Sequence, residues 1–272
     1  AKFCADTIHC RHLQLRRWAV LLCCPLHILG IVPLPCENVS GKTNHGKRFN
    51  HSISDGLFAS IFINPLQFEN KEDLSKYPKT PDSDIELAQR SGVTHLWFPK
   101  HDEIYPEGFQ TLKAGNIGDL YEGASRPGHF DGVVTVVNRL FQLVKPTLAV
   151  FGEKDFQQLR LVEVMAGDIK IIRGPIIREE DGLAMSSRNV RLAPEGRAAA
   201  PIIFQALSHA KSESELKEIL KSEPLFELDY ATFIDEETFM PASKESKKVR
   251  AIVAGWINGV RLLDNMQMEI SA

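Results

Sequence analysis

The stretch from residue 148 to residue 172, LAVFGEKDFQQLRLVEVMAGDIKII, decides the fold. Leu148–Phe151 is a short apolar run, which indicates a buried strand. Asp155–Ala166 is predicted to be a helix, and Ile169–Ile172 is a second apolar run. A strand, a helix and a strand joined by short loops form a unit whose two strands run parallel. The sequence therefore predicts a parallel α/β sheet built around this unit.

The same alternation extends towards the N-terminus. Helices are predicted at Asp82–Ser91, where Gly92 supplies a C-terminal signal, and at Asp131–Val144, which stops before Pro146. Three further apolar runs, Ile28–Val32, Phe58–Ile63 and His95–Phe98, are predicted strands. With Leu148–Phe151 and Ile169–Ile172 they complete a sheet of five predicted strands. We therefore expect a Rossmann-like, doubly wound parallel sheet in a first domain that covers residues 1–175.

The pattern changes after residue 176. Helices are predicted at Pro194–Lys211 and Glu213–Lys221. Short strands follow near Asp229–Ile234, Val249–Ala254 and Val260–Leu263. Consecutive strands without intervening helices are typical of an antiparallel meander. The sequence therefore predicts a smaller C-terminal α+β domain over residues 176–272.

The composition is that of a folded protein, but the N-terminal segment differs in composition from the rest of the chain. The 272 residues are 43% hydrophobic and 25% charged, which excludes collagen-like and wholly disordered chains. A net charge of −3 gives no electrostatic argument for binding nucleic acid. All five cysteines, however, lie within the first 36 residues, and residues 1–50 carry seven Lys or Arg against two Asp or Glu. This N-terminal segment therefore needs an interpretation of its own.

Four interpretations of residues 1–50 are open. An odd number of cysteines disfavours a disulfide framework. The apolar run Trp18–Leu34, a candidate membrane or signal segment, is interrupted by prolines and is too short for a typical membrane span, and no A-x-A-like cleavage site follows it. A zinc site has the ligand types but lacks the usual paired spacing: His9, Cys10, His12, Cys23 and Cys24. We favour the fourth interpretation, a helix that leads into the first strand.

Amide side chains follow two of the predicted strands. In open parallel sheets, ligands bind beyond the carboxyl ends of the strands. Asn64 and Gln67 come directly after the second strand, and Gln158 comes shortly after the fourth. Amides in these positions are suited to orient a small polar ligand, although Asn64 and Gln67 also fit a role that only caps a turn.

Cations and hydroxyls follow the last two strands of the predicted sheet. Lys154 comes after the fourth strand, and Ser186, Ser187 and Arg188 come after the fifth. These groups suit phosphate oxygens, although a solvated loop is the alternative for either cluster. The Gly-rich loop Glu122–Phe130 contains one acid and two potential cations, and its His129 also fits a structural role. The sequence suggests no covalent nucleophile, so we expect catalysis by positioning and charge stabilisation.

Six motifs connect the chain to a known family. They are Phe62–Phe68 (FINPLQF), Asp73–Asp84 (DLSKYPKTPDSD), Glu122–Val137 (EGASRPGHFDGVVTVV), Gly152–Gln158 (GEKDFQQ), Asp181–Asn189 (DGLAMSSRN) and Arg261–Asn265 (RLLDN). With these motifs in this order, the chain from about residue 52 to 270 resembles the pantothenate synthetases of the nucleotidyltransferase superfamily.

The resemblance implies an activity and its requirements. The family joins pantoate to β-alanine with ATP and Mg²⁺, by way of a pantoyl adenylate, and releases pyrophosphate and AMP. It also implies a Rossmann-like domain with a small C-terminal domain, a homodimer and a cytoplasmic location. Small-molecule substrates, rather than a nucleic acid or a membrane, are the expected partners.

The resemblance also assigns roles to residues. Gln67 and Gln158 are expected to hold pantoate, with Asn64 helping to position it. Four residues are expected to bind the ATP phosphates and to act in catalysis: Lys154, Ser186, Ser187 and Arg188. The nucleotide pocket is completed by Gly152, Asp155, Ile177 and Met185, and Glu122 and Tyr77 match further positions near the site. No metal ligand is assigned, although Asp82 and Asp84 lie in a segment suited to indirect contact with Mg²⁺.

One motif of the family is missing. After its first strand the family has Pro-Thr-Met-Gly-Ala-Leu-His-x-Gly-His, whose histidines bind ATP phosphates, whereas residues 34–46 here are LPCENVSGKTNHG. Counting forward from Pro33 places the two histidines at Val39 and Lys42, and counting back from Ser60 places them one residue later. The segment therefore has nearly the family's length but a different content.

We hypothesise a reading-frame disruption or a sequence error across roughly residues 34–51, because family-like sequence resumes abruptly at Ser52. Genuine divergence is the alternative, and it leaves open a catalytically impaired homologue that still binds pantoate or nucleotide. A nucleotidyltransferase with another acid substrate is also open, although Gln67 and Gln158 disfavour it. Resequencing the gene across these codons is the test, and a clean in-frame read that reproduces the segment would contradict a disruption.

Overall fold

The computed structural model describes residues 19–21, 57–67 and 81–269. Within them the strands are β1 (Ala19–Leu21), β2 (Leu57–Ser60), β3 (His95–Trp97), β4 (Leu148–Gly152), β5 (Lys170–Gly174), β6 (Glu227–Asp235), β7 (Val249–Ile257) and β8 (Val260–Met268). The α-helices are α1 (Pro81–Arg90), α2 (His101–Ile104), α3 (Glu122–Ser125), α4 (His129–Val144), α5 (Phe156–Met165), α6 (Pro194–Ala199), α7 (Ile202–His209) and α8 (Glu213–Lys221). Short 3₁₀ helices lie at Pro65–Gln67, Asn116–Asp119, Glu153–Asp155 and Ser187–Arg191.

Five parallel strands form one sheet in the order β3-β2-β1-β4-β5. From the central strand β1 the chain passes to β2 and then to the edge strand β3, and it continues on the other side of β1 with β4 and β5. This reversal of direction defines a doubly wound sheet, and it creates a switch point where ligands commonly bind. The predicted Rossmann-like fold is confirmed.

The central strand, however, is not where the sequence predicted it. Ala19–Leu21 pairs with Leu57–Ala59 on one side and with Leu148–Val150 on the other, in a segment where we expected a helix. The predicted strand Ile28–Val32 lies outside the described residues. A strand of three residues inside the long apolar run Trp18–Leu34 shows no period of its own, so pattern alone does not locate it.

Helix α4 forms much of the first core. Eleven of its 16 residues are buried, which is more than a single apolar stripe provides and shows that the helix is covered on several sides. It ends as predicted, because Lys145 adopts a left-handed conformation (φ 50°) directly before Pro146. Helix α5 is tied to β5 by Glu163, which accepts hydrogen bonds from Arg160 and Arg173. Burial raises the pKa of Glu163, but these hydrogen bonds outweigh it and hold the pKa below its ordinary value.

A second, antiparallel sheet has the order β6-β7-β8 and is the predicted meander. Asn258 (φ 50°) and Gly259 (φ 72°) join β7 to β8 through a two-residue turn. Positive φ at both central residues is the requirement of a tight hairpin turn that matches the twist of the strands. Ile203 and Leu216, from α7 and α8, are buried in one core with Val253 of β7.

The predicted single helix Pro194–Lys211 is wrong. The segment forms two helices, α6 and α7, which are separated at Ala200 and Pro201. Proline has no N–H to donate to the preceding turn, and its ring crowds the carbonyl four residues earlier, so it interrupts a continuous helix. The helix predicted at Glu213–Lys221, which contains no proline, forms with the expected bounds.

The described residues form two compact units. The first contains those up to Glu153 together with Gln158–Pro175, and the second contains Lys154–Gln157 and the residues from Ile176 onwards. The sequence predicted only a boundary after residue 175. The short segment Lys154–Gln157 therefore packs with the second unit although the sequence around it packs with the first.

Candidate active site

The chain turns at Asn64, four residues after the end of β2, and Asn64 is fully buried in the first unit. The Asn64 side chain ties three segments together. Its Nδ2 donates to the carbonyl of Gly132 at 3.0 Å, and its Oδ1 accepts from Leu66 N at 3.2 Å and from the hydroxyl of Tyr105 at 2.6 Å. Burial raises the pKa of Tyr105 far above its ordinary value, so its hydroxyl stays protonated and available to donate. Asn64 therefore holds the turn in place.

Helix α4 approaches this turn closely at Gly132. A Cβ atom on Gly132 would lie 2.5 Å from the carbonyl oxygen of Leu66 and 3.1 Å from Gln67 N. Both neighbours are backbone atoms of the turn Pro65–Gln67, so neither can rotate away as a flexible side chain can. Glycine at this position therefore lets the helix and the turn share the hydrogen bond made by Asn64.

The side-chain amide of Gln67 is buried but unsatisfied. Gln67 is only 2% exposed, and neither Nε2 nor Oε1 has a hydrogen-bond partner within the described residues. A buried amide without partners costs roughly 1–3 kcal/mol, so native proteins rarely keep one without a reason. An amide that offers both a donor and an acceptor fits a polar ligand with a hydroxyl and a carboxylate.

The backbone of Gln67 is held by two side chains from α4 and the loop before it. The Gln67 carbonyl accepts a hydrogen bond from Arg126 Nη2 at 3.2 Å, and His129 Nδ1 lies 3.2 Å from the same oxygen. Arg126 also contacts buried Glu122 at 3.4 Å, which compensates its charge, and His129 Nε2 at 3.3 Å. Because an arginine N–H can only donate, these contacts suit a neutral His129 with its proton on Nδ1.

The third predicted pantoate residue belongs to the same unit. Gln158 lies in the first turn of α5 and is buried. The first unit therefore contains the three amides Asn64, Gln67 and Gln158. Their surroundings differ. The Asn64 amide is used in hydrogen bonds that hold the turn, whereas the Gln67 amide has no hydrogen-bond partner among the described residues.

The predicted phosphate-binding residues belong to the second unit. A pocket there is lined by Lys154, Ser186 and Arg188, together with Asn189 and Arg261. Ser186 caps the short helix Ser187–Arg191, since its Oγ accepts from Arg188 N at 3.2 Å. This cap fixes the backbone from which both serine hydroxyls and the Arg188 side chain project.

Three cationic side chains line this pocket: Lys154, Arg188 and Arg261. Lys154 Nζ lies 3.5 Å from Asp155, which is the acidic residue predicted to bind the nucleotide. Arg261 donates to Asp229 at 2.7 Å and stacks 4.6 Å from the ring centre of Trp256. Cations fixed in this way are suited to stabilise the negative charge of a phosphate group.

Comparison with known proteins identifies the family. The sequence matches the family Pantoate-beta-alanine ligase over residues 48–267. The pantothenate synthetase of Thermus thermophilus is 44% identical over an alignment of 229 positions that covers 78% of this chain and 83% of that protein. That of Pelodictyon phaeoclathratiforme is 43% identical over an alignment of 228 positions that covers 77% of this chain and 81% of that protein. The chain belongs to the pantoate–β-alanine ligase family.

Solved structures of family members share the fold. A pantothenate synthetase of Thermus thermophilus matches with a TM-score of 0.80 at 36% identity and covers 95% of both chains. A Francisella tularensis pantoate-beta-alanine ligase, complexed with beta-gamma ATP and beta-alanine, matches with a TM-score of 0.73 at 29% identity and covers 94% of this chain and 91% of its own. The resemblance inferred from the motifs is confirmed, and the chain is an ATP-dependent ligase.

Several residues predicted for the ligase site make none of the contacts described above, or lie outside the described residues. Gly152 ends β4 in the first unit. Ile177 and Met185 are partly exposed and paired by a backbone hydrogen bond of 2.9 Å, and they are absent from the lining of the described pocket. Tyr77 and the divergent segment 34–51 lie outside the described residues. No group of three or more His, Cys, Asp or Glu side chains in the described part of the chain is arranged to hold a metal ion.

Sequence reasoning missed residues that contact the candidate site but lie far from it in the sequence. Tyr105 donates to Asn64 although 41 positions separate them, and no motif around Tyr105 announces this contact. Arg126 and His129 were noted only as loop cations. Across the described segments, no helix is both long and apolar enough to cross a membrane.

Replacing Gly132 with alanine tests the close approach of α4 to the turn. Alanine favours a helix by about 1 kcal/mol over glycine, but the clash with the backbone of Leu66 should outweigh this gain by roughly 1–3 kcal/mol. We therefore expect a lower melting temperature for Gly132→Ala. The control is Gly152→Ala, whose Cβ would meet no described atom within 4 Å. A Gly132→Ala protein that melts at or above the wild-type temperature would contradict the close approach.

Proposed function

We propose that this chain makes pantothenate in two steps. A pantoate carboxylate oxygen first attacks the α-phosphorus of ATP, the bond to the bridging oxygen of the β-phosphate breaks, and pyrophosphate leaves with the electron pair. The amine of β-alanine then attacks the acyl carbon of pantoyl adenylate and loses a proton, and AMP leaves. Both steps need exact positioning and charge stabilisation more than they need a nucleophile of the protein.

The main support for the proposed pantoate site is the buried side-chain amide of Gln67, which has no hydrogen-bond partner among the described residues. Pantoate has two hydroxyls and a carboxylate, which supply the acceptor for Nε2 and the donor for Oε1 that the described residues lack. We assign pantoate binding to Gln67 and Gln158, and we assign to Asn64 the role of holding the turn. A site built to pair with a hydroxyl discriminates strongly against an acid that lacks it, because the amide is then left unpaired.

Lys154 and the segment Ser186–Arg188 of the second unit are our proposed contacts for the ATP phosphates. Lys154 and Arg188 would neutralise the charge that the phosphate oxygens carry, and the hydroxyls of Ser186 and Ser187 would donate to them. The Francisella tularensis relative, complexed with beta-gamma ATP and beta-alanine, supports ATP and β-alanine as substrates. Gly152, Asp155, Ile177 and Met185 stay proposed residues of the nucleotide pocket.

Mg²⁺ is proposed to enter with the nucleotide. Magnesium commonly keeps several waters and is bound through phosphates and one or two carboxylates, so a protein cage is not required. Asp155, beside Lys154, is a carboxylate of the second unit that fits such a role, and we assign no further ligand. A homodimer in the cytoplasm is proposed from the family resemblance.

Pantoate-dependent exchange of labelled pyrophosphate into ATP tests the first step without β-alanine. We expect exchange that requires pantoate and that falls about 10²–10³-fold in a Lys154→Met variant, which is the usual cost of removing one charge-stabilising group. Exchange at background level with pantoate binding retained would instead identify an impaired homologue. Binding of neither pantoate nor ATP would overturn the proposed function.

Replacing Gln67 with leucine tests the pantoate site. Leucine keeps a similar volume but removes both polar atoms, so the KM for pantoate should rise about 10- to 100-fold while the KM for ATP stays unchanged. Folding should be retained or improved, because a buried unsatisfied amide is removed. Gln205→Leu, a replacement on exposed surface of the second unit, is the control. An unchanged KM for pantoate in Gln67→Leu would remove Gln67 from the site.

A further inference from the structure

Two adjacent residues of β8 contact two separate parts of the proposed phosphate site. Asp264 and Asn265 are 4% and 2% exposed. Asn265 Nδ2 donates to the carbonyl of Lys154 at 2.8 Å, while Asp264 pairs with Arg178. All four residues belong to the second unit. The pair on β8 is therefore connected to the lysine segment on one side and to the strap before the serines on the other.

The Asn265 side chain is itself held rigidly. Its Oδ1 accepts from Arg250 Nη1 at 2.6 Å, and Arg250 Nε donates to Glu236 at 2.7 Å in a buried ion pair. The Arg250 guanidinium also lies 3.9 Å from the ring centre of Phe156, two residues beyond Lys154. The Lys154–Gln157 segment therefore has two contacts with this cluster. Asn265 donates to the Lys154 carbonyl, and Arg250 makes a cation–π contact with Phe156.

Asp264 holds the strap that leads into the serine motif. Its two carboxylate oxygens accept from Arg178 Nη1 at 2.5 Å and Nη2 at 3.1 Å, which is a bidentate pair. Arg178 Nη1 also donates to the Gly182 carbonyl at 3.0 Å, and Arg178 forms an antiparallel bridge with Ala184. The chain between residues 178 and 184 is therefore closed into a strap that ends just before Ser186.

We propose that Asp264 and Asn265 are positioning residues that set Lys154 and the Ser186–Arg188 segment at a fixed spacing for the ATP phosphates. The Cα atoms of adjacent residues lie about 3.8 Å apart, and β8 is paired with β7 along this stretch, so the two side chains cannot move independently. The Asp264 Oδ1 further accepts from Asn265 N at 2.7 Å. The inference rests on the proposed function of Lys154, Ser186 and Arg188.

Conservative variants separate positioning from stability. Asn265→Asp keeps an acceptor for Arg250 but loses the donor to Lys154, and Asp264→Asn keeps the shape but loses the charge that Arg178 pairs with. The matched control is Asp235→Asn, at the end of β6, where Oδ1 accepts from Glu237 N and Thr238 N of the following turn. ATP and pantoate affinities are measured by calorimetry, kcat and KM by pyrophosphate exchange, and folding by the melting temperature.

We expect Asn265→Asp and Asp264→Asn to lower kcat/KM for ATP about 10- to 100-fold and to weaken ATP binding, with the pantoate affinity unchanged. Asp235→Asn should leave all three quantities near wild type. Equal weakening of ATP and pantoate binding, or an unchanged kcat/KM for ATP, would overturn the inference. If one variant does not fold, the other decides by the same criteria.

The outcome for the inference is distinguishable from that for the proposed function. A wild-type chain that binds ATP but gives no exchange contradicts the proposed activity, and the ATP affinities of the variants still decide the positioning role. A wild-type chain that binds neither ATP nor pantoate overturns both.

Discussion

A buried amide or carboxylate costs free energy unless it is hydrogen-bonded. In this chain the constraint distinguishes buried polar side chains that hold the fold from those available to a ligand. Asn64 commits its amide to Gly132, Leu66 and Tyr105, and the turn after β2 is fixed as a result. Gln67, three residues later, is buried with neither amide atom paired among the described residues. The two amides of this short turn therefore differ in role: Asn64 fixes the backbone, and Gln67 is the one that we propose binds pantoate.

The buried ion pairs of the second unit are a weak argument for its net stability. Breaking a buried pair on one side costs about 3–5 kcal/mol, yet replacing the whole pair with apolar side chains is often neutral or stabilising. The pairs Arg250–Glu236 and Arg178–Asp264 both lead towards proposed phosphate-binding residues. Their retention in the interior is therefore better explained by orientation than by stability, because an apolar core holds neither the carbonyl of Lys154 nor the strap beyond Arg178.

The sequence was informative where a pattern is local and repeated. The unit from Leu148 to Ile172 was predictable because an apolar run, a helix and a second run occur within 25 residues, and Gly92 and Pro146 marked helix ends. The strand Ala19–Leu21 was missed because three residues carry no period. Candidate site residues next to strand ends were accessible to motif reasoning, whereas Tyr105, one of the partners of Asn64, is 41 positions away and meets it only through tertiary packing.

In the proposed assignment, the residues that bind pantoate differ from those that act on the phosphates, and this bears on how the missing histidine motif is interpreted. The contacts that fix Gln67, Lys154 and Ser186 come from residues between Asn64 and Asn265. Loss of two charge-stabilising donors slows a reaction by about 10²–10³-fold each, but it does not by itself remove groups that bind the ground state. A chain that keeps these contacts but lacks the histidines should therefore still bind pantoate even where its turnover is strongly reduced. Pantoate affinity is then the more direct test of these contacts.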